Sequence, residues 1–189
     1  MRYEKGRKDA SRRRILEVAS DRFRSDGIAA TGLASIMTDA GLTNGAFYPH
    51  FQSKADLVRE TVASTLERQA ELLRETLDQE GVEAVIAAYL SPAHRDNAAG
   101  GCTFAAVLPE LARQPLEARS VYAERLVPIA GELASALPQH IDNREAVAMS
   151  LYATLIGTLQ LARAVEGTEL SDRILAAGAD AARALAGVG

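Results

Sequence analysis

The stretch Thr31–Lys54, TGLASIMTDAGLTNGAFYPHFQSK, constrains the fold more than any other part of this chain. Leu33 to about Ala40 reads as a short helix with Ile36 and Met37 facing inward. Thr31 is a candidate cap for it. Gly41-Leu42-Thr43 then makes a tight turn: Gly41 adopts positive φ at little cost, Leu42 plugs the core, and Thr43 caps the next helix. Asn44–His50 reads as that very short third helix, because Pro49 has no N–H to donate inside a longer one. Helix, glycine turn and short helix together make a helix-turn-helix. The second helix of such a unit fits a major groove about 12 Å wide and turns unpaired N–H groups and a positive dipole end towards phosphate.

The flanking sequence is helical as well. From about Lys8 to Ser25, Ile15, Leu16, Ala19 and Phe23 form an apolar stripe at helical spacing, and Gly27 is a left-handed stop. Ser53-Lys54-Ala55-Asp56 is a capping-box pattern opening a long fourth helix with Leu57, Val58, Val62, Leu66, Leu73 and Leu77 inward. A fifth helix is expected at about Val82–Leu90, followed by a polar loop from Pro92 to Gly101. A sixth spans about Cys102–Arg113. A seventh covers about Pro115–Leu137, with Pro115 at its first position and a kink at Pro128. Asp142, with Glu145 three residues on, caps an eighth that runs to about Glu166. A ninth covers about Ser171–Leu185. Ala and Leu dominate and strand-like runs are missing. The fold class is all-α, about nine helices, with a head at residues 1–52 and a larger body at 53–189.

Charge is divided along the same line. Residues 1–59 carry 11 Lys+Arg and 7 Asp+Glu, a net of +4, and residues 60–189 carry 10 and 18, a net of -8, giving -4 for the 189-residue chain. A basic head on an acidic body is expected where only the head meets phosphate. The single cysteine, Cys102, excludes a disulfide within the chain and suits a reducing cytosol. The chain opens polar and basic, without the pattern of a secretory signal, and a cytoplasmic location is expected. The longest uncharged run, Ala146–Ala162, falls just short of the ~20 apolar residues of a membrane span and reads as a buried helix.

Three pieces, RRRILEVASDRFRSDG, IMTDAGLTNGAFYPHF and FQSKADL, resemble the TetR/AcrR family of regulators over roughly Arg12–Glu60, about a quarter of the chain. The pattern G-L-T-x-G-x-F-Y-x-H-F-x-S-K carries the likeness. GCTFAAVLPELARQ and LIGTLQLARAV are similar to the sixth and eighth helices of one branch. The resemblance implies an N-terminal DNA-binding domain, a helical ligand-binding and dimerisation domain, and a repressor released from operator DNA by a small-molecule inducer. It assigns Thr43 to a cap and a phosphate, Asn44 and Gly45 to base edges, and Tyr48, His50 and Lys54 to backbone phosphates. Thr31 is grouped with these DNA-facing residues. Arg2, Lys5, Arg7 and Lys8 would form an arm. Pro49 stands where many members have a polar or basic residue, so a thymine methyl is its expected contact. The structural alternatives are core positions for Tyr48 and His50, a merely solvated Lys54 and a disordered arm.

Two further surfaces are implied by the resemblance. Leu151, Leu155, Leu159 and Ala162 on the eighth helix, with Ile174, Gly178, Ala181 and Leu185 on the ninth, form stripes through which a homodimer would pair. The alternative is that they complete the monomer's own core. An inducer pocket is expected among the fourth to eighth helices, with Cys102, Phe104, Leu108, Tyr122, Met149 and Tyr152 as candidates. Each is otherwise ordinary core. Cys102 at a helix start also raises redox or electrophile sensing, against its reading as a small buried hydrophobe. His50, His94 and His140 match no metal spacing, and no phosphate-loop, dinucleotide or nucleophile-elbow motif is present. No enzyme activity, metal or cofactor is therefore expected. A nonspecific architectural DNA binder and a transcriptional activator remain as rival functions.

Overall fold

A computed structural model describes residues 2–188, with side chains from residue 6 onward, and it is all-helical. The helices are α1 (Arg2–Asp26), α2 (Leu33–Asp39), α3 (Lys54–Tyr89), α4 (Pro92–Asp96), α5 (Thr103–Leu111), α6 (Leu116–Ala136), α7 (Arg144–Ala164) and α8 (Glu169–Ala186). A single 3-10 turn, Asn44–Ala46, lies between α2 and α3. α1 packs on α2, α3 and α5; α6 lies along α3; and α7 and α8 pair with each other.

The apolar stripes explain these contacts. Ile15, Leu16, Ala19 and Phe23 of α1 are buried, as are Ile36 and Met37 of α2 and Leu57, Val58, Val62 and Leu66 of α3. Gly27 and Gly41 both adopt positive φ, 84° and 71°, so both chain reversals use the residue without a Cβ. The Ser53 hydroxyl accepts from the Asp56 N–H at 3.1 Å and the Asp56 carboxylate accepts from the Gln52 N–H at 3.0 Å, which starts α3 abruptly. The expected fourth and fifth helices are the two halves of α3. They are divided at Gly81, whose φ of 80° and ψ of -178° are not helical.

Several expectations need correction. α1 begins at Arg2, so the backbone of the proposed basic arm is already helical; the side chains of Arg2 and Lys5 lie outside the described residues. Asn44–His50 is not a regular helix but a 3-10 turn followed by further tight turns, because Pro49 cannot extend the ladder. The expected loop after Pro92 contains α4, started by Pro92 and by the Ser91 hydroxyl accepting from the His94 N–H. Pro115 is the N-cap of α6 rather than its first residue, and α6 continues through Pro128. Neither Asp142 nor Glu145 caps α7; Asn143 precedes it in the left-handed region, at φ 50°.

The dimer stripe on α7 is the largest correction. Leu151, Leu155, Leu159 and Ala162 are at most 3% exposed within one chain, so they are core. Gly178 is buried too, and a Cβ there would come within 2.2 Å of Thr158: it is the point where α8 closes on α7. Ile174 and Leu185 are half-buried and Ala181 is exposed. The outward side of α7 instead carries Ala146, Ser150, Ala153, Gly157, Leu161 and Ala164, and the exposed side of α8 carries Leu170, Arg173, Ala177, Asp180 and Ala181. α7 is long and apolar enough to cross a membrane. Here its inward side packs against α5, α6 and α8.

Candidate nucleic-acid interface

The coil Thr43–His50 is built on two buried rings. Phe47 and Phe51 are 2% and 1% exposed and pack against each other at 5.5 Å. Burying rings of this size stabilises by roughly 2–3 kcal/mol each. Backbone bonds then wind the segment: Ala46 N–H to Thr43 O at 2.9 Å, Phe47 N–H to Asn44 O at 3.2 Å, and His50 N–H to Phe47 O at 2.9 Å. With Phe47 anchored inward, Thr43, Asn44, Gly45, Tyr48 and Pro49 are left on the outside. Tyr48 is 71% exposed, which sets aside its core alternative, and it stands edge-on to Phe47.

The surroundings brace this coil and leave positive charge beside it. Arg12 lies over the Phe51 ring, 5.4 Å from its centroid, and pairs with Glu60 of α3. Arg22 pairs with Asp39 at 2.6 Å and Asp26 at 2.8 Å, clamping α1 to α2. Lys54, the first residue of α3, reaches only the Ala29 carbonyl, at 3.4 Å, and neither it nor Arg13 makes an ion pair among the described residues. His50 is half-buried with its Nδ1 enclosed and without a protein partner. Burial, then Lys8 and Arg12, hold its pKa below the ordinary value, which favours a neutral ring.

Two assignments in this region do not survive. Thr31 is 2% exposed, and its hydroxyl donates to Gly27 O at 2.6 Å, so it faces neither solvent nor a duplex. The position that caps α2 belongs to Gly32. Thr43 occupies the N-cap position of the 3-10 turn, but its side chain makes no capping bond and points to solvent as a free hydroxyl.

The body contains a cleft of about 380 Å³ between α5, α6 and α7. Of the candidate pocket residues, Leu108, Tyr122, Met149 and Tyr152 line it; Cys102 and Phe104 do not. Phe104 is fully buried behind the wall, 4.9 Å from the Tyr122 ring, and Cys102 is 7% exposed. Leu126, Ala130, Ala153, Ile156, Gly157 and Gln160 complete the lining and had no distinguishing signal in the sequence. No charged residue lines the cleft. Burial raises the pKa of both Tyr122 and Tyr152, so both keep their protons. Among the described residues no group of three or more His, Cys, Asp or Glu is arranged to hold a metal ion.

Residues 15–61 match the model of bacterial regulatory proteins, tetR family. The HTH-type transcriptional regulator TtgR of Pseudomonas putida is 36% identical over 83 residues, 44% of this chain and 40% of the relative. The likeness thus spans well under half of that relative's length. Among solved structures, a TetR-family transcriptional regulator from Cytophaga hutchinsonii superposes with a TM-score of 0.76 at 19% identity, covering 96% of both chains. FadR of Bacillus subtilis, solved in complex with stearoyl-CoA, superposes with a TM-score of 0.66 at 18% identity, covering 92% of this chain and 96% of FadR. At these identities the superpositions speak for the fold.

Proposed function

We propose, from the premise that this chain belongs to the TetR family of bacterial regulatory proteins, that it is a sequence-specific repressor. It acts in the cytoplasm, binds operator DNA as a homodimer and is released by a small molecule. The head, residues 1–52, reads DNA; the body, residues 53–189, pairs and binds ligand. The observation that carries this reading is the exposed, wound coil Thr43–Pro49 held rigidly on Phe47, with Lys54 beside it. Asn44 and Gly45 approach base edges; Thr43, Tyr48, His50 and Lys54 hold phosphates; Pro49 offers apolar contact to a thymine methyl.

Dimerisation uses the outer side of α7 and α8; on α7 that side carries no charged group from Ala146 to Ala162. Two heads one helical turn apart, about 34–36 Å, would double the base contacts. The inducer occupies the cleft between α5, α6 and α7. With no cation to offset an anion, that cleft favours a neutral, largely apolar molecule oriented by the Tyr122 and Tyr152 hydroxyls. It shifts operator affinity by preferring the state whose heads are misplaced. Thiol sensing is the weaker reading, because Cys102 is enclosed.

The test is selection of bound duplexes from a random pool, followed by titration at fixed salt. A palindromic consensus bound at least ~10³-fold more tightly than random DNA supports the reading. Equal binding to all sequences would leave an architectural binder in its place.

A further inference from the structure

We propose that His94 is a positioning residue for the DNA-binding head, and that it serves this role only as the neutral Nδ1–H tautomer. Its ring lies between two backbone groups of opposite character. Nδ1 is 2.7 Å from the Tyr89 carbonyl oxygen, which has no proton to give, so Nδ1 carries the hydrogen. Nε2 lies 3.0 Å from the Cys102 nitrogen and accepts its N–H. The ring also stands edge-on to Tyr89, at 4.7 Å. A proton added at Nε2 would set two donors against each other.

What the ring holds matters for the head. α4 is fixed to the body: Arg163 of α7 donates to His94 O at 2.9 Å and Arg95 O at 3.1 Å, and Arg95 bonds Ser171 and Asp172 at the start of α8. The strip after α4 is fixed to the head: Arg24 of α1 donates to Ala99 O and, at 3.0 Å, to the Thr103 hydroxyl. His94 joins the two anchorages through Cys102, the residue before α5. Gly101 fits this crossing because a Cβ there would fall within 3 Å of Asn97 O, His94 and Arg163. Further along α5, the Glu110 carboxylate accepts the Ala29 N–H at 2.7 Å, so the helix whose N-terminal neighbour Cys102 is held by His94 also braces the turn after α1.

The charges around the ring leave a protonated form without a partner. Arg163 faces it from α7, and Arg24 approaches the same strip from α1. Asp96 and Asp172 are engaged by Arg95, and Glu166 acts on Arg163. Tyr89 on α3 supplies no counter-charge, because burial pushes its hydroxyl pKa up. Burial and Arg163 depress the imidazole pKa, while the Tyr89 carbonyl opposes them. The folded-state pKa thus lies below the unfolded value near 6.5. The clasp is complete above that value and is lost as pH falls through the folded pKa.

The experiment uses the full chain, labelled with 15N, in imidazole and amide spectra between pH 8 and 5. It is paired with affinities at fixed salt for a duplex that the wild type selects from a random pool. The expected result is the Nδ1–H tautomer at pH 7.5. Cys102 and Ala29 amide shifts should follow the His94 midpoint, and duplex affinity should fall about tenfold through it, the scale of one buried hydrogen bond. His94→Gln, whose side-chain oxygen can still accept from the Cys102 N–H, should keep near wild-type affinity at pH 7.5 and lose that acid step. The proposal is overturned by the Nε2–H tautomer, by an Ala29 amide indifferent to His94 titration, or by His94→Gln keeping the wild-type pH profile. The affinity arm rests on the DNA-binding reading. If no duplex is ever retained, that reading fails while the Ala29 amide still decides the role of His94.

Discussion

The Thr43–His50 coil and the outer face of α7 and α8 are both exposed, and they differ in almost every other respect. The coil is knobbed and polar, one turn wide, seated on the buried Phe47 and Phe51 rings, with uncompensated Lys54 at its foot. The helix pair is plainer: on α7, Ala146, Ser150, Ala153, Gly157, Leu161 and Ala164 make an uncharged stripe of mostly small side chains. The first suits a partner whose surface is a regular array of charges and hydrogen-bonding edges. The second suits a partner equally plain, which a second copy of the same helices provides. Affinity on the first surface should depend steeply on salt; on the second it should follow buried area.

The sharpest way to break this contrast is within α7 itself. Leu155→Ala, at a core position, is expected to lower stability by about 3 kcal/mol in denaturant melts. Leu161→Ala, on the other side, should change it by less than ~0.5 kcal/mol. Leu161→Glu should produce monomers in sedimentation while the fold persists; monomers from the Leu155 variant alone would reverse the two faces. On the coil, Asn44→Ala should cost about 1–3 kcal/mol of discrimination at one base pair, seen as a changed consensus. Lys54→Ala, which removes one phosphate contact from each of the two heads, should weaken binding to all duplexes alike and reduce the slope of log affinity against log salt by about 1.8. An unchanged slope would remove Lys54 from the phosphate contacts. The smallest effect concerns His50. Its folded pKa lies below the unfolded value, so its contribution to stability is present above about pH 6.5 and fades as pH falls beneath it. His50→Gln should flatten that part of the stability profile in melts between pH 7.5 and 5.

Features decided within four or five residues were legible before the structure. Gly27 and Gly41 mark reversals because φ above zero is costly for other residues, and Ser53 with Asp56 marks a helix start because the spacing alone closes the bonds. The face of α7 was not legible. Leu151, Leu155 and Leu159 form one stripe, while Ala153, Gly157 and Leu161 form another on the opposite side, and both are apolar. Deciding between them needs the position of α6 and α5, which the spacing does not contain. Thr31 misled for a related reason: a hydroxyl before a helix reads as a cap, yet the Gly27 carbonyl one turn back was the nearer partner. The cleft was half legible. Its aromatic members stand out, whereas Ala130, Ala153 and Gly157 line it merely by being small.

The break at Gly81 has a mechanical consequence. The stretch from Lys54 to Glu80 is a rod about 40 Å long at helical rise, fastened to the head at one end and to the non-helical break at the other. A rotation of one degree at the break would carry the far tip by about 0.7 Å, and five degrees would carry it about one base-pair step along a duplex. A few degrees at Gly81 would therefore be enough, at the tip, to put a side chain opposite the neighbouring base.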